Sequence, residues 1–252
     1  MLMSWAQSRR LVYIGGIIII FLLVVVLPTI LHFNKAPTCF DNKQNQDEQG
    51  IDCGGVCNLL CKNQYVPLVV NWSRFSKVST GVYNVMAYIE NPNPNAGINE
   101  LSYVFRLFDK EGLLLRERYG KTIAPANKVM AVFEPEMYTG NQIPQRVDFV
   151  IIQPTTWLKQ NSAESALSVT QSVITQEDSA PRLSATLTNK TIYQIKNIEA
   201  VGIIYSGDNA IAFSRTMVET LNDKESIQIN FNWPAPFSEK YTNTKIILKV
   251  LK

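Results

Sequence analysis

The chain has 252 residues, 46% of them hydrophobic, with 24 basic and 21 acidic side chains, four cysteines and one histidine. Arg9 and Arg10 precede a long apolar run, so the part beyond it is close to neutral, unlike the basic footprint of a nucleic-acid binder. One histidine, His32, is too few for the His-based hydrolase and zinc-hydrolase templates, and neither G-x-G-x-x-G nor G-x-x-x-x-G-K-[ST] occurs.

Residues 11–31 carry no formal charge and directly follow Arg9-Arg10. At about 1.5 Å per helical residue the run spans about 30 Å, the hydrocarbon thickness of a bilayer. Its centre, Ile17 to Leu27, is apolar on every face, unlike the striped helix of a soluble protein. A cleaved signal peptide is the rival reading. It would have a shorter apolar core of about 7–15 residues and a small-residue cleavage site, which Pro28-Thr29-Ile30-Leu31 does not supply. The expectation is a retained single-pass anchor over 11–33 with a cytoplasmic tail over 1–10. The positive-inside rule then puts the rest of the chain on the far, extracytoplasmic side of the membrane.

The segment 34–63 holds all four cysteines: Cys39, Cys53, Cys57 and Cys61. An even number on the oxidising side, in a segment with too few apolar residues for a core, predicts two disulfides rather than a zinc site. Spacing leaves all three pairings open. Asp41, Asn45, Asp47, Glu48 and Asp52 alternate with turn-forming glycines and offer oxygen ligands for calcium. The segment lacks the EF-hand order, and a solvated, turn-rich knot accounts for the same residues. No other cofactor is expected. The run Asn45-x-x-Glu48-x-x-x-Asp52-Cys53-Gly54-Gly55-x-Cys57 resembles a short Cys-rich motif of bacterial surface and secreted proteins, which implies an envelope location.

Beyond Cys61, short alternating runs rich in Val, Ile, Tyr and Phe are broken by Pro, Asn and Gly, as in antiparallel sheets. A first series of strands is predicted at 66–72, 83–90, 101–109, 113–119, 129–135 and 146–153. Leu101, Tyr103, Phe105 and Leu107 share one strand face and should line an inner layer. Asp109-Lys110-Glu111-Gly112 marks a hairpin turn. The run Phe105-x-Leu107-Phe108-Asp109-x-x-Gly112 resembles the signature strand of FxLYD domains, with Phe108 in place of the family's Tyr. That resemblance implies an extracytoplasmic β-sandwich over 64–153.

A polar stretch, 154–166, reads as a linker, with Trp157 placed to wedge two domains together. A second series follows at 167–175, 182–188, 198–206, 210–218, 225–233 and 245–251, forming a domain over 167–252. The two series align near a spacing of a hundred residues, the size of one immunoglobulin-like sandwich. Asn91 falls on Asn189, Phe105 on Gly202, Phe133 on Phe231, and Arg146-Val147-Asp148-Phe149-Val150 on Lys245-Ile246-Ile247-Leu248-Lys249. The fold class is therefore all-β: two tandem immunoglobulin-like antiparallel sandwiches behind a transmembrane helix and a disulfide-rich segment.

The aromatics Trp72, Tyr83, Trp157, Trp233 and Phe237 are expected mainly in cores and at the domain junction. Asn189-Lys190-Thr191, a sequon by its letters, reads first as a hairpin turn, and Asn91-Pro92-Asn93-Pro94-Asn95 as a stiff polar loop with a possible contact role. The functional expectation is a non-catalytic scaffold, adhesion or binding protein of the bacterial envelope. Its partners would be the bilayer, through 11–31, and a protein or glycan, with no nucleic acid. The alternative is a carbohydrate-directed protein, lectin-like or a carboxylate-based hydrolase. A groove lined by exposed aromatics and a carboxylate pair about 5–10 Å apart would mark it.

Overall fold

A computed structural model describes residues 5–33, 36–161 and 166–251. Residues 1–4 of the expected tail, and 162–165 of the expected linker, lie outside the described residues. The chain divides into two compact units, 1–57 and 58–252, each described by itself.

In the first unit α1 (Trp5–Phe21) passes through a five-residue π turn (Leu22–Val26) into α2 (Leu27–Phe33). The stretch Arg9–Ile30 is long and apolar enough to cross a membrane, and none of it is buried within the protein. Pro28 has no N–H to return to the preceding turn, and the widened turn beside it is the usual accommodation. Thr29 repairs the ladder locally: its Oγ1 donates to Val25 O at 2.8 Å or Val26 O at 2.7 Å.

All twelve strands predicted in the second unit form, most of them longer than expected. The first sandwich contains β1 (Val69–Ser79), β2 (Val82–Asn91), β3 (Ala96–Phe108), β4 (Leu114–Ala124), β5 (Lys128–Tyr138) and β6 (Arg146–Ile151). Its sheets run β1-β2-β5 and β4-β3-β6. After the two-residue β7 (Leu158–Lys159) come β8 (Leu167–Thr175), β9 (Arg182–Asn189), β10 (Ile195–Ser206), β11 (Asn209–Leu221), β12 (Ser226–Asn232) and β13 (Asn243–Val250). Their sheets run β8-β9-β12 and β11-β10-β13. Strand for strand, the second connectivity repeats the first, all of it antiparallel.

The inner layers follow from period-two alternation. Leu101, Tyr103, Phe105 and Leu107 of β3 enter the first core, facing Val85, Ala87 and Ile89 of β2. Leu183, Ala185 and Leu187 of β9 face Ile198, Ala200 and Ile204 of β10 in the second. Gly202 occupies the inward position aligned with Phe105. A Cβ there would lie 2.9 Å from Cγ of Phe231, so the ring of Phe231 fills the space that Phe105 fills in the first copy. The hairpin at Asp109 forms as expected: Gly112 has φ +82°, and Asp109 Oδ1 accepts from Glu111 N at 2.9 Å and Leu113 N at 2.8 Å.

Two details of the repeat alignment need correcting. Phe133 and Phe231 are not equivalent: Phe133 pairs with Met86 and leaves its own core, whereas Phe231 pairs with Leu183 and enters it. The last strand also slips by two residues on the same face, because Phe149 lies across from Phe105 while Ile246, not Leu248, lies across from Gly202.

The expected linker is partly structured. Lys159 and Leu158 pair with Ala96 and Gly97, and Leu60 N donates to Trp157 O at 3.0 Å. Residues 58–61, expected to belong with the cysteine segment, thus fold with the sandwiches. Trp157, 3% exposed, lies in the first core and stacks on Tyr65 at 4.5 Å between ring centres, so it is a core residue and not a wedge between domains.

Candidate functional site

The cysteine knot builds itself from its motif residues. Cys39 and Cys57 are joined, with Cα atoms 5.7 Å apart, and Cys53 and Cys61 are disulfide-bonded as well. Asp52 accepts main-chain N–H groups from Asp41 at 3.0 Å and Asn42 at 2.9 Å. Glu48 is buried, and its Oε2 accepts from Asn45 N at 3.3 Å and Asp52 N at 3.2 Å. Asp41 accepts from Lys43 N at 2.9 Å and from the Asn45 amide at 3.0 Å. That amide bond does most to hold the Asp41 carboxyl below the usual carboxylate range. Asp47 is exposed at φ +63°, with its carbonyl under Gly55, where any Cβ would lie 1.9 Å from that oxygen. Of the five proposed ligands, three therefore spend carboxylate oxygens on main-chain amides within the knot. Glu48 also approaches Cys39 and Cys57, but these two sulfurs are bonded to each other and offer no thiolate.

The two sandwiches meet through the outer face of β1-β2-β5 and the outer face of β11-β10-β13. Met86, Ala131 and Phe133 pack against Val201, Ile203, Ala210, Phe213 and Ile247, with Trp72, Tyr88 and Tyr205 at the margin. Trp72 stacks on Tyr88 at 5.3 Å, Phe133 meets Phe213 edge-on at 6.2 Å, and Lys245 Nζ donates to Tyr88 Oη at 2.5 Å. Both β2 and β10 are thus buried on two faces, which is why their sequences read as almost unbroken apolar runs.

At one side of this junction lies an ion pair with both side chains only 6% exposed. Lys249 Nζ lies 2.5 Å from Glu199 Oε2, and also donates to Thr122 Oγ1 at 2.9 Å and Ala131 O at 3.3 Å in the first sandwich. Arg215 adds a second cation 3.5 Å from Glu199. Nearby, the Tyr103 hydroxyl donates to Glu134 Oε1 at 2.7 Å, and Arg118 approaches the other oxygen of Glu134 at 3.4 Å.

Burial pushes the Tyr103 phenol up, and the hydrogen bond to Glu134 pushes it further; burial also raises Tyr83 and Tyr205. A phenol whose pKa is raised on folding contributes stability that is complete below its unfolded value of about 10 and is lost as the pH climbs past it. The unfolding midpoint should accordingly fall between about pH 9 and 11, and Tyr103→Phe should flatten the decline. Denaturant titrations at the two pH values would check this. An equally steep decline in the variant would show that other groups govern it.

The polar loops proved structural. Asn91, 1% exposed, donates from Nδ2 to Ala96 O at 2.7 Å, Ala124 O at 3.3 Å and Pro125 O at 2.9 Å. Asn189, fully buried, repeats this with Tyr193 O at 2.7 Å, Leu221 O at 3.3 Å and Asn222 O at 2.8 Å. Each amide ties the end of one strand to the start of the next and to the turn after the fourth strand. The 188–191 segment is therefore a crossing between sheets and not a hairpin, and Asn189 is closed to glycosylation. Asn93, offered as part of a contact loop, is turned inward and clamps Val66 N and O at 2.8 Å each.

Three cavities stand out in the second unit. One of about 380 Å³ is lined by Tyr65, Ile98, Ile151 and Trp157, with Lys62 as its only charged residue. The other two lie between the sandwiches; one has Glu239 as its sole carboxylate and the other has none. None of the three brings two carboxylates together. The aromatics singled out from sequence lie in the cores (Tyr83, Trp157, Trp233), packed against the second core (Phe237) or at the junction (Trp72).

No protein-family model and no curated protein matches the chain. A solved structure, red sea bream transglutaminase, is similar at 11% identity with a TM-score of 0.26. The match covers 74% of this chain and 29% of that one, so this chain spans under a third of that protein's length.

Proposed function

We propose that the protein is a membrane-anchored, extracytoplasmic binding or scaffold module of the cell envelope, without catalytic activity of its own. The observation that carries this reading is the inward placement of Trp72, Tyr83, Trp157, Trp233 and Phe237 together with three cavities that hold at most one carboxylate each. What remains outside is a doubled sandwich with an apolar, ion-paired junction, suited to holding a surface in a fixed shape. The apolar helix supplies the anchor, and the oxidised cysteines fit the oxidising side of a membrane. The FxLYD reading of the first sandwich is kept as part of this proposal; Phe105 and Leu107 in the core and Asp109 in the turn support it.

Chemical crosslinking of intact cells followed by capture of the full-length chain tests the function. A protein partner crosslinked to the sandwiches is expected. Glycan hydrolysis or acyl transfer by the purified chain would overturn the reading, and so would failure of externally added protease to cut the sandwiches on intact cells.

We also take the knot to be held by disulfides and main-chain amides without a cation. Reduction should cost about 3 kcal/mol per loop of this size and speed proteolytic cleavage between residues 40 and 56. A chelator, with the disulfides intact, should leave the cleavage rate unchanged; a chelator-dependent increase would restore calcium.

A further inference from the structure

We infer that the trough between the two sandwiches, along the free edge of β1, captures an extended acidic peptide segment of a partner protein by strand addition. This rests on the non-catalytic binding reading above. β1 ends its sheet and pairs only with β2. Among the described residues no main-chain hydrogen bond leaves its other edge for another backbone group. Its ladder is interrupted between Val70 and Trp72 and again between Lys77 and Ser79, and is regular from Trp72 to Lys77. That leaves a regular edge about 20 Å long, bracketed by the irregularities that normally limit strand pairing and bridged to β6 at Ser73, whose Oγ donates to Val147 O at 2.9 Å.

Two cavities lie in succession along this edge. A cavity of about 470 Å³ flanks Trp72 to Phe75, and one of about 480 Å³ flanks Ser76 to Thr80. They share Ile211 and Ser238 of the second sandwich. The lining carries Arg74, Lys77 and Arg146 against the single carboxylate of Glu239. Arg146 is partly committed, 3.3 Å from Asp148; Arg74 and Lys77 have no acidic partner among the ion pairs described. Trp233, 7% exposed in the wall of the second cavity, keeps an indole N–H without a hydrogen-bond partner.

A strand edge presents donors and acceptors at the spacing of another peptide, so main-chain pairing supplies the affinity while the cations select negative side chains. An acidic glycan would satisfy the charges but not the edge.

The test uses the full-length protein in lipid nanodiscs and fluorescence anisotropy with a labelled alternating Val-Glu peptide. Its N-methylated form, a Val-Lys counterpart and an oligogalacturonate serve as competitors. Saturable binding by the unmodified acidic peptide alone is expected, weakened by about tenfold in Lys77→Glu, whose substituted side chain is exposed. Equal binding of the N-methylated peptide or of the oligogalacturonate would overturn strand addition. So would no binding of the acidic peptide to protein with an unaltered melting profile. An envelope partner captured equally well by wild type and Lys77→Glu would overturn the trough while leaving the binding function standing.

Discussion

Lys249→Met should lower the unfolding free energy of the sandwiches by about 3–5 kcal/mol, the usual cost of leaving one member of a buried ion pair without its partner. The Lys249 and Glu199 side chains are each 6% exposed, and Lys249 bonds to both sandwiches through Glu199, Thr122 and Ala131. Removing the ammonium strands the Glu199 carboxylate in the interface, with only the more distant Arg215 for company. The double variant Lys249→Met with Glu199→Leu should recover most of the loss, because apolar groups of similar volume fit an interface already built from Met86, Val201 and Ile247. Denaturant unfolding of the four members of this cycle measures the coupling. A single-variant cost below about 1 kcal/mol would mean that Arg215 or water replaces the ammonium.

The second large effect is expected at the paired asparagines. Asn91→Leu and Asn189→Leu each take the donor from three carbonyls, of which at least one is deeply buried, and each stranded buried group costs about 1–3 kcal/mol. A loss of about 3 kcal/mol or more is expected for either variant. The damage should be local: Asn91→Leu disturbs the core around Trp157, and Asn189→Leu the core around Trp233. Tryptophan fluorescence during unfolding can separate the two. If either substitution were tolerated within about 1 kcal/mol, the amide would be an ornament of the repeat and not one of its supports.

The reach of the sequence can be judged from these same residues. Helix, strands, duplication and oxidised cysteines were legible because each rests on a local signal: an uncharged run, period-two alternation, or cysteines crowded into a short loop. The alignment of Asn91 with Asn189 was also visible, yet their letters read as surface turns. Only the fold shows that one amide spans three backbone segments brought together from distant positions. Trp157 sits in a polar stretch whose letters point to a junction, but β7 pairing carries it back onto the first sandwich. The true junction did leave a mark. Ile198-Glu199-Ala200-Val201-Gly202-Ile203-Ile204 lacks the polar alternation of a strand with one wet face, and so announces burial on both sides. What it could not announce was the identity of the facing sheet. Phe133 and Phe231 show the same limit: counted from the buried asparagines, Phe133 pairs with the outward Met86 and Phe231 with the inward Leu183, so matching letters one residue out of register point in opposite directions.

The trough has one wall from each sandwich, and that has a mechanical corollary. Whatever fills it acts as a splint across the junction, so gripping a partner and resisting separation of the two halves become linked properties. By linkage, occupancy stabilises the joined arrangement by the same free energy that separating the halves takes from binding, so an occupied trough should withstand a pulling force that would pry the empty one apart.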